Sequence, residues 1–189
     1  GYTDLFYEGL ARNVHHCDVR SLYPSILLRE GRNPRHDAGG VFLQLLAHLR
    51  DFRLEAKQRA REPGQPPAVA GRWEALQTTF KLLINSFYGY LGFPLARFND
   101  YDLAASVTEI GREILRGMVA TLRDLGAQPI EIDTDGIYFT PPEGLTASTL
   151  ADFHERFRAH LPPGIEVEFD GQYPAMFSYK MKNYALLEA

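Results

Sequence analysis

Cysteine is almost absent from this chain of 189 residues, where Cys17 stands alone. An internal disulfide framework and a multi-cysteine zinc site are therefore excluded, and Cys17 reads as a small core residue in a reducing compartment. No apolar run reaches the length of a bilayer-spanning helix, and no charged-then-apolar leader opens the sequence. Neither membrane insertion nor secretion is expected, and the chain reads as cytoplasmic, nucleoid-associated in a bacterial cell. A basic excess is lacking too. The formal net charge is -4, so there is no global cationic footprint to hold a polyanion by counterion release. Any such contact must come from local stripes.

What is present is enough apolar material, 45% of residues, to bury a real core as one domain or one domain with a large insertion. Clusters of β-branched and aromatic residues between turn residues predict strands over NVHHCDV, IEIDTDGIYF, IEVEF and NYALL. Helical periodicity predicts long helices over about 41–61, 73–88 and 101–124, and a shorter one near 148–160 entered through Thr146 or Ser148. Between the first two helices EPGQPPAVAG is too rich in Pro and Gly to continue a helix, and reads as the tip of a helical hairpin. Strands and single helices do not alternate regularly, so the order is α+β: a mostly antiparallel sheet backed by helices, with a projecting two-helix hairpin.

Carboxylates stand out against that apolar frame. Asp18 ends an apolar strand and is followed by a turn over Ser21–Pro24 and an apolar return over Ile26–Leu28, and Asp133-Thr134-Asp135-Gly136 sits between two apolar alternations in the manner of a tight hairpin. Asp133 and Asp135, two residues apart, would share a face in extended geometry. Carboxylates on one face repel unless a cation lies between them, and Mg²⁺ takes a few carboxylates together with water and phosphate oxygens. His16 would share the face of Asp18 and His15 the opposite one, but oxygen ligands suit Mg²⁺ better than imidazole.

Cations are arranged in stripes. On the second helix Leu76, Phe80, Leu83 and Phe87 recur on one side, and Lys81, Asn85 and Tyr88 on another, followed by Gly89. The first helix carries Arg50, Arg53, Lys57 and Arg61 at spacings of three and four, opposite Leu45, Leu49 and Phe52. Across a hairpin the two stripes would offer several donors to one polyphosphate.

These stretches resemble, in chain order, three motifs of family B DNA polymerases: DVRSLYPS motif A, KLLINSFYG motif B and DTDG motif C, with KMKNYALL in the place of a KKRY-like element. The resemblance implies a palm over 1–40 and 91–189 and a short fingers hairpin over 41–90, without exonuclease, N-terminal or thumb domains. It implies template-directed transfer of deoxynucleotides from dNTP to the 3′-hydroxyl of a DNA primer-template. Asp18 with Asp133 or Asp135, and Val19 beside them, would ligate two Mg²⁺ ions, with Mn²⁺ able to substitute. Arg53, Lys57, Lys81 and Asn85 would bind the triphosphate, with backbone donors around Ser21 and Leu22. Tyr23 would exclude a ribose 2′-hydroxyl, Tyr88 and Gly89 would pack by the nascent base pair, and Thr134, Lys182 and Tyr184 would touch the primer.

The sequence departs from the family pattern at two of these positions. Gly136 stands where Ser usually follows the second carboxylate, and Asn183 replaces a basic residue of KKRY. Two other readings remain: a palm-fingers module that binds nucleotide or nucleic acid weakly without turnover, and a two-metal nuclease or nucleotide cyclase on a similar sheet.

Overall fold

A computed structural model describes residues 2–188. Among the described residues the chain forms β1 (Tyr2–Leu5), β2 (Gly9–Val19), α1 (Leu22–Glu30), α2 (Val41–Ala60), α3 (Pro67–Leu91), α4 (Tyr101–Asp124), β3 (Gln128–Thr134), β4 (Gly136–Thr140), α5 (Ala147–Ala159), β5 (Val167–Lys180) and β6 (Asn183–Leu187). The α+β class and the antiparallel sheet expected from the sequence are both present. The chain divides into two compact units, Gly1–Leu22 with Gly111–Ala189, and Tyr23–Ile110. No helix among the described residues is long and apolar enough to cross a membrane.

The first unit is built on one six-stranded sheet in the order β1-β3-β4-β2-β5-β6, with every neighbouring pair antiparallel. Alternation along the strands sends Cys17, Val19, Ile137 and Phe139 to full burial, the period-2 pattern of a sheet with one face on a core. Helix α5 covers that face, with Phe139 against Phe153 at 6.0 Å and Phe157 against Phe169 at 5.6 Å between ring centroids. Its N-terminus is closed by a capping box in which the Thr146 side chain takes the Thr149 N–H and Thr149 returns the bond. A second apolar cluster of Ala11, Val14, Ile130, Tyr138 and Met176 is covered by Tyr173, Tyr184 and Leu186.

The second unit centres on the α2–α3 hairpin. Asp37 caps α2, its carboxylate accepting from the Val41 N–H at 3.0 Å and the Phe42 N–H at 2.7 Å. Gly40, the residue just before the helix, has φ 65°, a conformation glycine adopts at little cost. Phe42 packs on Phe87 at 4.9 Å and Phe52 on Phe80 at 6.1 Å.

Several local expectations are corrected. Residues 22–30 form helix α1, where a turn over Ser21–Pro24 and an apolar return were expected. Pro24 occupies the third helical position, whose N–H would have had no partner inside the helix. Helix α3 begins at Pro67, so the hairpin tip is confined to 61–66; a proline at the first helical position starts a helix as readily as an interior one ends it. The strand expected to start at Asn13 starts at Gly9, and β5 runs on to Lys180. Leu76 and Leu83, assigned to the packing side of α3, are 42% and 45% exposed, while Ile84 is buried.

Candidate active site

Strand register assembles the carboxylates of the first unit. Gly136 of β4 lies opposite Asp18 of β2 on one side and Asp133 of β3 on the other. Directly opposed residues of antiparallel strands project to one face, so Asp133, Gly136 and Asp18 form a row whose middle member has no side chain. Glu168 of β5 continues the row beyond Asp18 and is ion-paired with Arg20.

Asp135 belongs to the turn. Its N–H donates to the Asp133 carbonyl at 2.9 Å around Thr134, whose φ is 67°, the i to i+2 closure of a γ-turn. Asp133 and Asp135 are thus not alternate residues of one extended run, and the same-face expectation is corrected. The Asp135 carbonyl accepts from the Val19 N–H at 3.0 Å, which ties the turn to the residue after Asp18.

Asp133 is engaged from the C-terminal hairpin. Tyr184 Oη donates to its Oδ2 at 3.0 Å and Thr134 Oγ1 to its Oδ1 at 3.2 Å, with Lys182 Nζ 3.4 Å from Oδ1. Burial, then the neighbours Tyr138 and Asp133, push the Tyr184 phenol up and keep it a proton donor. The Lys182 N–H donates at 2.6 Å to Glu131, a fully buried carboxyl raised by desolvation. Glu131 lies two residues before Asp133 on β3. Sequence reasoning passed over it, although a charge alternating with buried isoleucines was the signal.

A second missed residue is Asp170, whose Oδ1 lies 2.6 Å from His16 Nδ1. The His16 ring rests against Tyr138 at 4.5 Å, on the face of Asp18 as expected. A bulge in the β2–β5 pairing between His16 and Cys17 made the Asp170 partnership invisible to simple alternation. Cys17 is buried and its thiol is pushed up, first by burial and then by the charge of Asp170, which makes it an inert core residue.

Beyond the row, Ser21 takes φ 45° and its Oγ is buried without a hydrogen-bond partner. Leu22 follows as the first residue of α1, so the backbone here presents helix N-terminal N–H groups.

In the second unit Tyr23 stacks on Tyr88 with centroids 4.3 Å apart and planes 23° from parallel, and Tyr88 Oη bonds Thr108 Oγ1 at 2.6 Å. Arg53 and Lys57 are half-buried on α2, and Lys81, Asn85 and Gly89 are exposed on α3. Arg50, counted in the same stripe, bonds Asp51 at 3.0 Å.

Among the described residues no three His, Cys, Asp or Glu side chains already converge as a ready metal cluster. The donor chemistry nevertheless fits a hard cation. Asp18 and Asp135 sit at strand and turn ends joined through Val19, all their donors are oxygens, and the glycine between Asp18 and Asp133 puts no side chain into the row.

An antiparallel sheet with a carboxylate row at one end, in a chain that also carries a basic helical hairpin, is the fold of a polymerase fragment. The structure of the family B DNA polymerase from the hyperthermophilic archaeon Pyrobaculum calidifontis matches it with a TM-score of 0.76, over 99% of this chain and 28% of that chain, at 24% identity. The family model for DNA polymerase family B matches residues 29–187, and the chain belongs to that family. It is 32% identical over its whole length to a DNA polymerase of Pyrococcus glycovorans and 30% identical to DNA polymerase 1 of Pyrococcus abyssi. The chain spans 27% of the length of each of these relatives.

Proposed function

We propose that this chain is the nucleotidyl-transfer core of a DNA-directed DNA polymerase, joining a deoxynucleotide from dNTP to a primer 3′-hydroxyl under template direction. The observation that carries the reading is the Asp133–Gly136–Asp18 row with Asp135 tied to Val19. Asp18, Asp135 and the Val19 carbonyl would hold two Mg²⁺ ions, or Mn²⁺ in their place. Bound there, the ions supply the acidity that ionises a primer hydroxyl and the charge that stabilises a leaving pyrophosphate.

The protein's own residues position the reactants. Arg53, Lys57, Lys81 and Asn85 neutralise and orient the triphosphate, and the first N–H groups of α1 at Ser21 and Leu22 add donors. Tyr23 fills the space a 2′-hydroxyl would need, and its stack on Tyr88 fixes the ring. Gly89 leaves room beside Tyr88 for the nascent base pair. Asp133, held by Lys182 and Tyr184, links the carboxylate row to the residues that would grip the primer end, with Thr134 at the turn between.

Primer extension by this chain with Mg²⁺ at low salt tests the reading. Extension is expected, with a loss of at least about a hundredfold in Asp135→Ala and Asp18→Asn, since each removes charge stabilisation that the transition state needs. Extension unaltered by either substitution would sink the assignment. Because the chain spans only 27% of its relatives, binding of primer-template without extension would instead favour a binding module that needs the rest of a polymerase for turnover.

A further inference from the structure

Tyr23 is backed, within its own unit, by a line of contacts that ends on α4. Its ring stacks on Tyr88 with centroids 4.3 Å apart and planes 23° from parallel. Tyr88 in turn reaches Thr108, with 2.6 Å between Oη and Oγ1. All three residues are half-buried. Thr108 lies outside the DVRSLYPS, KLLINSFYG, DTDG and KMKNYALL stretches.

The direction of the last bond follows from counting protons. A threonine hydroxyl has one, and Thr108 Oγ1 gives it to the Ala104 carbonyl one turn back at 2.9 Å, the back-bond that Thr makes within helices. Its Oγ1 is left as an acceptor, so the Tyr88 hydroxyl donates. The Tyr88 ring is thereby held at both ends, by its backbone in α3 and by its hydroxyl on α4.

The anchor is itself fixed. Leu103 and Val107 of α4 are buried. Asp100 caps the helix, its Oδ1 accepting from the Leu103 N–H at 2.9 Å and its Oδ2 from the Arg35 N–H at 2.8 Å. Arg32, just beyond the end of α1, donates to Ser106 Oγ at 3.2 Å, which ties the chain that follows the Tyr23 helix to the same stretch of α4. A wall excludes a substituent only as well as it resists being pushed. A 2′-hydroxyl meeting the Tyr23 ring would press it on Tyr88, and Tyr88 yields only by parting a half-buried donor from its acceptor.

We infer that Thr108 is a positioning residue for sugar discrimination: as the acceptor that pins Tyr88, it sets how firmly Tyr23 rejects a ribonucleotide. The inference rests on the reading of Tyr23 as the residue that excludes a 2′-hydroxyl, and extends it to a side chain that does not touch the nucleotide. Packing of α3 on α4 alone would alter the binding of deoxy- and ribonucleotide alike, whereas positioning alters their ratio.

Equilibrium binding of dATP and ATP to the chain in MgCl₂, measured by isothermal titration calorimetry, tests it. The chain should favour dATP. Thr108→Val keeps the shape and removes the acceptor. It should lower that preference about tenfold, the effect of one hydrogen bond, by tightening ATP while dATP changes less than about threefold. Thr108→Ser keeps the acceptor and should hold the preference within about twofold. Tyr88→Phe removes the same bond from the other side, so Thr108→Val/Tyr88→Phe should discriminate no worse than either single variant.

A preference unchanged in Thr108→Val, a loss in Thr108→Ser as large as in Thr108→Val, or additive losses in the double variant overturns the inference. Tyr23→Ala separates it from the reading beneath. A preference lost in Tyr23→Ala and kept in Thr108→Val removes Thr108 and leaves the role of Tyr23 standing. No preference in the parent chain, one kept in both variants, or no binding of either nucleotide overturns the role of Tyr23 and the inference with it.

Discussion

Gly136 lies opposite both Asp18 and Asp133, and a Cβ placed there would stand 2.3 Å from His16 Nε2 and 2.9 Å from His16 Cε1. The imidazole fills the notch a side chain would use, held by Asp170 on Nδ1 and by the Tyr138 ring. This accounts for the glycine where the family pattern leads one to expect serine: here residues 16 and 136 are a complementary pair. Gly136→Ser should therefore cost about 1–3 kcal/mol of stability, the usual penalty for overpacking a filled site. The double variant His16→Ala/Gly136→Ser should recover part of it in urea unfolding. Strictly additive losses would show that the ring does not occupy the notch in solution. At this scale Asp18 and Asp133 were readable because charges at the ends of apolar strands conflict with their surroundings, and Asp135 because it stands in the same short turn between two apolar runs. The partners that hold the site, Asp170 and Glu131, were not read, one hidden by a bulge and the other by the cover of its neighbouring carboxylates.

Elements with strong periodicity were foreseen closely, α4 over 101–124 and α5 with its Thr146 cap above all. The failures came where one local signal served two ends. Proline marked the end of a helix at 62–71 when Pro67 in fact begins one, and Tyr-Pro suggested a turn where Pro24 fits a first helical turn. Within α5, His154 stacks on Phe169 of β5 at 3.7 Å, and its Nε2 is buried without a partner. Burial, then the charges of Arg158 and His15 against the opposing pull of Glu155, hold this imidazole below 6.5. The fold keeps it neutral while the unfolded chain takes up a proton below 6.5, so stability is full above that pH and is lost as pH falls. His154→Phe keeps the stack and removes the titration. It should flatten the decline of the unfolding free energy, measured in urea, below pH 6.5 by up to about 1.4 kcal/mol per pH unit, the limit for one group. His15, also lowered by burial, sustains a residual slope. A pH profile identical to that of the parent chain would exclude His154 as a source of the decline.

The molecule as a whole separates its charges by unit. Carboxylates that crowd one end of the sheet belong to a unit assembled from both ends of the chain, and the cationic hairpin belongs to the intervening segment. Composition averages these into a net charge of -4, which is why charge alone argued against a nucleic-acid partner and only the motifs argued for one. The same average complicates any test for metal, because every salt relieves some repulsion in an acidic chain. A bound ion differs from screening in dependence on its site. At an Mg²⁺ concentration of 100 times its dissociation constant, binding confined to the folded state adds about 2.7 kcal/mol. In a chain of this size that raises the thermal midpoint by about 5–10 °C. MgCl₂ should therefore stabilise the chain well beyond NaCl of equal ionic strength, and Asp18→Asn should abolish the difference. Lys81→Ala, which alters the hairpin and leaves the carboxylate row intact, should preserve it. Equal midpoints in the two salts would mean that the row is stable without a cation, with Lys182 and Tyr184 sufficing to hold Asp133.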